Sequence, residues 1–388
     1  MSAYLQMGHN SEIFLREDGL VGFTGIILSP VNRSKGNLTT DMPKFREKNH
    51  FDIIFDPQLY CPQSERGQLQ SHAYFPKDLD TADPSSDGWW QNIVTNLVEE
   101  ANQLGVDAVC SPAILPKKSS AEYYARIADI YSMMADAVQG SAMRPMMTVC
   151  VTLKELEKPE DALHVASIVT RHNPKNVYLV IESEIEPRRE ISDPNLLSLM
   201  VLVSSLEKSG CKTTVSHCSS DMVLMKAAGA THCASGNFFN LRRFSRSRFD
   251  EQQDEGGKLI AYWFEHNLMA FLRRADIARL LKVWPNGFIG GEHSTNIFSE
   301  QIFDQFQNEP AKAWVALGWR QNLAWFAATE NDLSDDNATS LVSGWLKEAE
   351  KRWNQIEDEE ILMDEKRNDG SWIRPWRQAL GEFHRLGM

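Results

Sequence analysis

The sequence predicts an α/β protein: a closed (β/α)8 barrel followed by a helical C-terminal domain. Three observations predict it. From about residue 20 the chain repeats one cycle, a short β-branched run, a polar break, then a capped stretch of helical spacing. The cycle recurs seven times in order, which demands a parallel sheet with right-handed crossovers. No GxGxxG follows the first run and no GxxxxGK[ST] occurs anywhere, so the nucleotide signatures of open doubly wound sheets are missing and the closed barrel is preferred.

The strand-like runs are residues 21–28, 51–55, 106–110, 146–151, 176–181, 212–215 and 230–234. Each is too short and too apolar to be a surface helix. Between them, residues 89–104 place Ile93, Leu97, Ala101 and Leu104 on one face and end at Gly105, a helix C-cap. Ser119 and Glu122 have capping-box spacing for a helix to about 138, Pro159 opens one to about 171, and Asp193-Pro194 opens one ending near Gly210. Ser219 or Ser220 caps a short helix that ends at Gly229. The eighth strand is open between residues 258–264 and a later pair, Phe288-Ile289. These signals divide the chain into an N-terminal segment (1–19), a barrel (20–282) and a helical, Trp-rich domain (283–388) holding eight of the eleven tryptophans.

The 388 residues carry 53 acidic and 40 basic side chains, a formal charge of −13, which excludes a protein that coats nucleic acid or anionic membrane with its whole surface. No run approaches the roughly 18 apolar residues of a membrane span, and residues 1–18 lack the apolar stretch of a signal peptide, so a cytoplasmic location without membrane contact is expected. The cysteines at 61, 110, 150, 211, 218 and 233 form no CxxC pair, so neither a zinc ribbon nor a disulfide framework is indicated.

In such a barrel, active residues sit at the C-terminal ends of the strands. Here those ends read Ser29 and Asn32; Asp56 and Gln58; Ser111; Thr152; Glu182 and Glu184; Ser216, His217 and Cys218; Ser235, Gly236 and Asn237. Asp56 and Glu182 each close an apolar run, where burial prepares a carboxyl for proton transfer, and His217 at its strand end serves as general acid or base. The charge run of Glu184, Glu186, Arg188, Arg189 and Glu190 reads as a solvated face. A divalent metal would draw on His217, Cys218 and Cys233, a set of unspecific spacing. Two long excursions, residues 57–88 with Tyr60, His72, Glu65, Asp78, Asp80 and Asp83, and residues 237–257 with LRRFSRSR running into DEQQDEGG, read as lids or binding loops.

The segment 216–239, SHCSSDMVLMKAAGATHCASGNFF, resembles the late strand–loop–helix–strand unit of phosphate-binding (β/α)8 enzymes. The resemblance implies phosphate held by Ser216, Ser235, Gly236 and Asn237, with charge from Arg242, Arg243 and Arg246. A narrower likeness is to the tRNA-guanine transglycosylase barrel: Asp56 in FDIIFDPQ stands where that family has a catalytic aspartate, and SGNFFNLRRFSRSR where it has an arginine-bearing loop. The chain departs from that family by reading His232-Cys233 in place of its nucleophile-bearing Phe-Asp pair, and by lacking its clustered zinc cysteines.

The expected function is an enzyme of hydrolase, lyase or glycosyl-transfer type. It would act on a phosphate-bearing substrate, nucleotide or nucleic-acid related, through Asp56, Glu182 and His217. Base exchange of the transglycosylase kind and a noncatalytic scaffold barrel are the alternatives. The basic loop offers nucleic acid a local contact, and the tryptophan-rich helices offer a surface to a protein partner or a second copy.

Overall fold

The computed structural model describes residues 3–16, 22–47, 51–62, 67–78, 83–184, 190–192, 194–249, 260–309, 312–333, 337–364 and 368–388. Glu65, Asp80, Glu186, Arg188, Arg189, Asp193, the acidic stretch 250–257 and the first two residues of 258–264 lie outside them.

Eight parallel strands close into one barrel in strict chain order: β1 (Ala3–Gln6), β2 (Phe23–Leu28), β3 (Asp52–Phe55), β4 (Ala108–Cys110), β5 (Arg144–Thr152), β6 (Asn176–Glu182), β7 (Lys212–Val215) and β8 (His232–Ser235). The chain is therefore an α/β TIM barrel with a helical C-terminal region. The seven runs read from the sequence are β2 to β8. The remaining strand lies in the stretch read as a segment ahead of the barrel: β1 pairs with β2 (Gln6 with Ile27) and with β8 (Leu5 with Ser235), sealing the seam. Neither candidate for an eighth strand joins the barrel. Trp263–Glu265 (β9) instead pairs antiparallel with Ala270–Leu272 (β10) in a hairpin of its own, and Phe288-Ile289 lies in a turn.

The strands are buried on both faces, as a parallel barrel clad in helices requires. Packing at the lower, N-terminal end is tight. Gly25 has no side chain because a Cβ there would lie 2.2 Å from the Asp52 carbonyl oxygen and 2.4 Å from the Tyr4 ring.

Helices α1 (Lys35–Glu47), α2 (Asp87–Leu104), α3 (Ala121–Ala137), α4 (Pro159–Val169), α5 (Leu196–Lys208) and α6 (Met222–Ala227) follow β2, β3, β4, β5, β6 and β7. Ile93, Leu97, Ala101 and Leu104 face inward, and Gly105 ends α2 in the left-handed conformation (φ 67°). Ser120, one residue beyond the expected Ser119, caps α3 by accepting from the Tyr123 N–H. Among the described residues between β1 and β2 there is a 3-10 turn, Ser11–Arg16, and no α-helix.

After the hairpin come α7 (Arg274–Val283), α8 (Ser299–Asn308), α9 (Val315–Asp332), α10 (Ala338–Asp358) and α11 (Ile373–Arg385). Helix α9 packs against β1, β8 and α6, covering the β1–β8 seam, while α11 packs on α5. Trp314, Trp325 and Trp376 are fully buried, and the Trp376 indole N–H donates to the Ile191 carbonyl (2.6 Å). These tryptophans form core between helices and barrel. No described helix is long and apolar enough to cross a membrane.

Candidate active site

Strand geometry places the sequence-nominated residues at the upper end of the barrel. Because β1 takes the first position, the loops at 216–221 and 236–249 follow β7 and β8, the usual phosphate-binding pair in this architecture.

Asp56 follows β3 and is buried. Its Oδ1 accepts from the Gln58 N–H (3.0 Å) and the Tyr60 hydroxyl (2.9 Å), and its Oδ2 accepts from the Tyr178 hydroxyl (3.2 Å). Burial, reinforced by the Asp56 charge, pushes both phenols well above their usual range, so they serve as donors. Tyr178 lies inside β6, two and four residues before Val180 and Glu182, so the three share one face of the strand. Its hydroxyl also touches Gln6 Oε1 (3.3 Å) and bonds with the Ser216 side chain, whose oxygen lies 3.1 Å from His217 Nδ1. Asp56 and His217 are thus joined through two hydroxyls, Tyr178 and Ser216. His217 holds a left-handed backbone (φ 56°), as does Gln58 (φ 55°), a strained state for non-glycine residues of the kind stored at functional sites.

Glu182 stands apart from this line. Arg246 grips both of its oxygens, the Nη2–Oε2 bond being 3.0 Å, and also donates to the Pro116 carbonyl (2.6 Å); Thr152 donates to Oε2 (2.9 Å). Both Glu182 oxygens are engaged by Arg246 and Thr152, which ties this carboxylate to the loop after β8. Glu182 fastens a loop. That loop continues from β8 across the mouth, where Phe244 forms a parallel bridge with Glu182 and its carbonyl accepts from the Ser183 N–H (3.2 Å). The Phe244 ring packs edge-on to Tyr60 (5.1 Å between centroids) and His217 (5.5 Å), with Phe249 beside it (5.8 Å). An aromatic cover closes the bore. The other excursion folds inward too, with buried His72 hydrogen-bonded to Glu100.

The residues expected to hold phosphate divide sharply. Ser216 donates to the Leu179 carbonyl (3.1 Å) and Ser235 to the Cys218 carbonyl (2.7 Å). Arg242 is sandwiched between the rings of Phe239 and Phe271 and donates to the carbonyls of Gly236 (2.8 Å) and Asn237 (3.0 Å); burial pushes it down to about 9. These contacts tie Arg242 to the loop it stands on. Gly236 serves close packing, since a Cβ would lie 2.5 Å from Leu241 Cβ and 2.8 Å from the Gln6 carbonyl oxygen. Asn237 accepts from Ser11 (2.8 Å) through Oδ1, while its Nδ2 is buried without a partner.

Arg243 differs from Arg242 and Arg246 on the same loop. Its side chain is 2% exposed, and among the described residues none of its three guanidinium nitrogens makes a hydrogen bond. It forms an ion pair with Glu190 Oε2 at 3.7 Å. Burial raises Glu190 to about 7, against the lowering effect of Arg243, and raises Asp221 beside it.

Of the suggested metal donors, the Cys218 and Cys233 side chains lie within hydrogen-bonding reach of each other, the Cys218 thiol also lies against the Val215 carbonyl (3.4 Å), and His217 faces Phe244; among the described residues no three of His, Cys, Asp and Glu form a cation cage. His232 lies at the lower end of β8 with its ring edge-on to Tyr4 (5.1 Å), so the position compared with the transglycosylase nucleophile is at the end of the barrel opposite Asp56.

No known family model matches the chain, nor does any curated protein. Solved structures of similar fold include a type I 3-dehydroquinate dehydratase from Clostridium difficile (9% identity, TM-score 0.38, 64% of this chain and 88% of that one). FabK from Thermotoga maritima (11%, 0.33, 92% and 95%) and dihydrodipicolinate synthase from Oceanobacillus iheyensis (10%, 0.33, 100% and 96%) are others. Likeness at this level carries no functional argument; the chain's own eight-strand closure defines the barrel.

Proposed function

We propose that this chain is a barrel enzyme acting on a phosphate-bearing substrate, nucleotide or nucleic-acid related. Phosphate is held above β7 and β8, and protons move along Asp56, Tyr178, Ser216 and His217. The observation that carries the reading is Arg243, a buried guanidinium with five N–H donors and no hydrogen-bonded acceptor, on the loop after β8. A buried donor without a partner costs about 1–3 kcal/mol, more when charged, and a phosphate oxygen removes that cost. Asn237 Nδ2 adds a neutral donor from the same loop.

A carboxylate at one end of the hydroxyl line and an imidazole at the other suit proton removal at one substrate atom and return at another, as hydrolases, lyases and glycosyl-transfer enzymes require. The aromatic cover must lift for a substrate to enter, so the Arg246–Glu182 pair acts as the latch of a lid. Titration with inorganic phosphate tests the reading. The wild type is expected to bind it and Arg243→Met to bind at least about tenfold more weakly; equal binding by both, or none by the wild type, rejects it.

The cover itself favours a second reading, a noncatalytic barrel whose bore is closed by Tyr60, Phe244 and Phe249. That reading expects no small anion to bind and a protein partner to dock on the C-terminal helices.

A further inference from the structure

Two more buried amides at the mouth share the unusual state of Arg243. Gln58 is 1% exposed and Gln6 is fully buried, and among the described residues the side-chain NH2 group of each lacks an acceptor. The carbonyl end of Gln58 is held by two donors. Gln58 Oε1 accepts from the Val31 backbone N–H (3.1 Å) and the Ser29 hydroxyl (3.1 Å); a backbone N–H can only donate, so the oxygen must face it and the NH2 must turn away. Gln6 Oε1 faces the Tyr178 hydroxyl.

Both amides belong to the Asp56 cluster. Gln58 donates its backbone N–H to Asp56, and Gln6 meets Asp56 through the one phenol they share. They stand on the two staves that flank β2: Gln6 ends β1, and Gln58 lies three residues beyond β3, bonded to Ser29 at the end of β2. Asn237 continues the series beyond β8, toward Arg243. Neutral donors and one carboxylate, arranged along a rim that leads to a guanidinium whose N–H groups have no hydrogen-bond acceptor among the described residues, call for a ligand with one anionic end and oxygens along its body.

We infer that Gln6 and Gln58, flanking Asp56, read the hydroxyl or carbonyl oxygens of a phosphorylated sugar whose phosphate lies at Arg243. This assignment rests on the phosphate reading above and specifies the rest of the substrate. A second anionic group beside Asp56 would be repelled, and an apolar group would leave the two NH2 groups unpaired. A sugar hydroxyl meets both requirements, because its oxygen accepts from an amide while its proton goes to a carboxylate. The left-handed backbone of Gln58 fits such a role, since it fixes a side chain where the strand alone would not deliver it.

The test titrates the full chain with inorganic phosphate, ribose 5-phosphate and unphosphorylated ribose, comparing wild type with Gln58→Met and Gln6→Met, each first shown to keep a cooperative thermal transition. Two variants are used because Gln58→Met also removes an acceptor from Val31, whereas Gln6→Met leaves Tyr178 bonded to Asp56. The wild type is expected to bind ribose 5-phosphate at least about tenfold more tightly than phosphate. Each variant should lose about tenfold of that preference, the usual cost of one unpaired buried group, while its phosphate affinity stays the same. Equal wild-type affinity for phosphate and ribose 5-phosphate overturns the sugar assignment and leaves the phosphate reading standing. So does a folded variant that keeps the full preference. Absence of phosphate binding overturns both.

Discussion

The two ends of this barrel are built on opposite rules. At the lower end most buried polar groups are closed on one another, with Thr24 Oγ1 an exception. Tyr4 and Arg144 both donate to Asp52 (2.6 Å each), Asp107 accepts from the Ile53 N–H (2.7 Å), and Glu207 gathers the backbone and hydroxyls of Thr213 and Thr231. Lys226 and Glu330 form a buried pair (3.4 Å) that also ties α9 to the Cys233 N–H (3.1 Å). At the mouth, Gln6, Gln58, Asn237 and Arg243 keep buried donors without acceptors. Stability is concentrated at one end, and unsatisfied binding capacity at the other.

The comparison breaks most visibly under charge removal. Glu330→Ala leaves Lys226 buried and unpaired and should cost about 4 kcal/mol in urea unfolding. The paired replacement Arg243→Met with Glu190→Gln, at the mouth, should be neutral or stabilising, because it removes two buried charges that meet only at 3.7 Å and leaves an amide oxygen to accept from Ser219. A comparable loss for the mouth pair would erase the distinction.

Next comes pH. Glu190 is raised from 4.5 to about 7 on folding, so its protonated form is favoured in the native state. The resulting stability is complete below about pH 4.5 and is lost as pH rises through 7, about 3 kcal/mol in all. Glu190→Gln should flatten that part of the stability–pH curve measured by chemical denaturation.

Backbone crowding gives a smaller contrast. Gly25→Ala pushes a methyl into the Asp52 carbonyl and should cost about 3 kcal/mol, whereas Gly236→Ala meets mainly the Leu241 side chain and should cost about 1–2 kcal/mol as the loop shifts. The smallest effect is at the latch. Arg246 is 40% exposed, so Glu182→Gln should cost less than about 1 kcal/mol globally. It should nonetheless speed hydrogen exchange at the Ser183 amide, which holds the Phe244 carbonyl.

Much of the barrel was legible in the sequence because β2 to β8 are short apolar runs separated by helices with their own spacing and caps. The strand β1 was not. Four residues, Ala3 to Gln6, are too few to show a period, and among the described residues a 3-10 turn rather than an α-helix follows them. Residues 258–264 looked like a better strand because they are longer and more aromatic, yet the hairpin β9–β10 uses part of them outside the barrel.

At the site, strand-end logic located Asp56, Gln58, His217 and Asn237. It missed Gln6, whose strand was unread, and Tyr178, which lies mid-strand and reaches the mouth cluster only through the bore. The face shared by Tyr178 and Glu182 was the available signal. Adjacent Arg242 and Arg243 are equivalent in sequence; the aromatic sandwich and carbonyl acceptors around the first, and the carboxyl neighbours without hydrogen bonds around the second, separate them.

The seam between β1 and β8 also sets the order in which the molecule can be completed. The first strand of the barrel is the partner of the last, so one edge of β1 stays open for some two hundred residues of synthesis until β8 can pair with it, while the other pairs with β2. Its outer cover, α9, comes from residues 315–332 and arrives later still. Barrel closure and docking of the C-terminal helices should therefore form one late cooperative step, in which the helical region acts as the clasp of the fold.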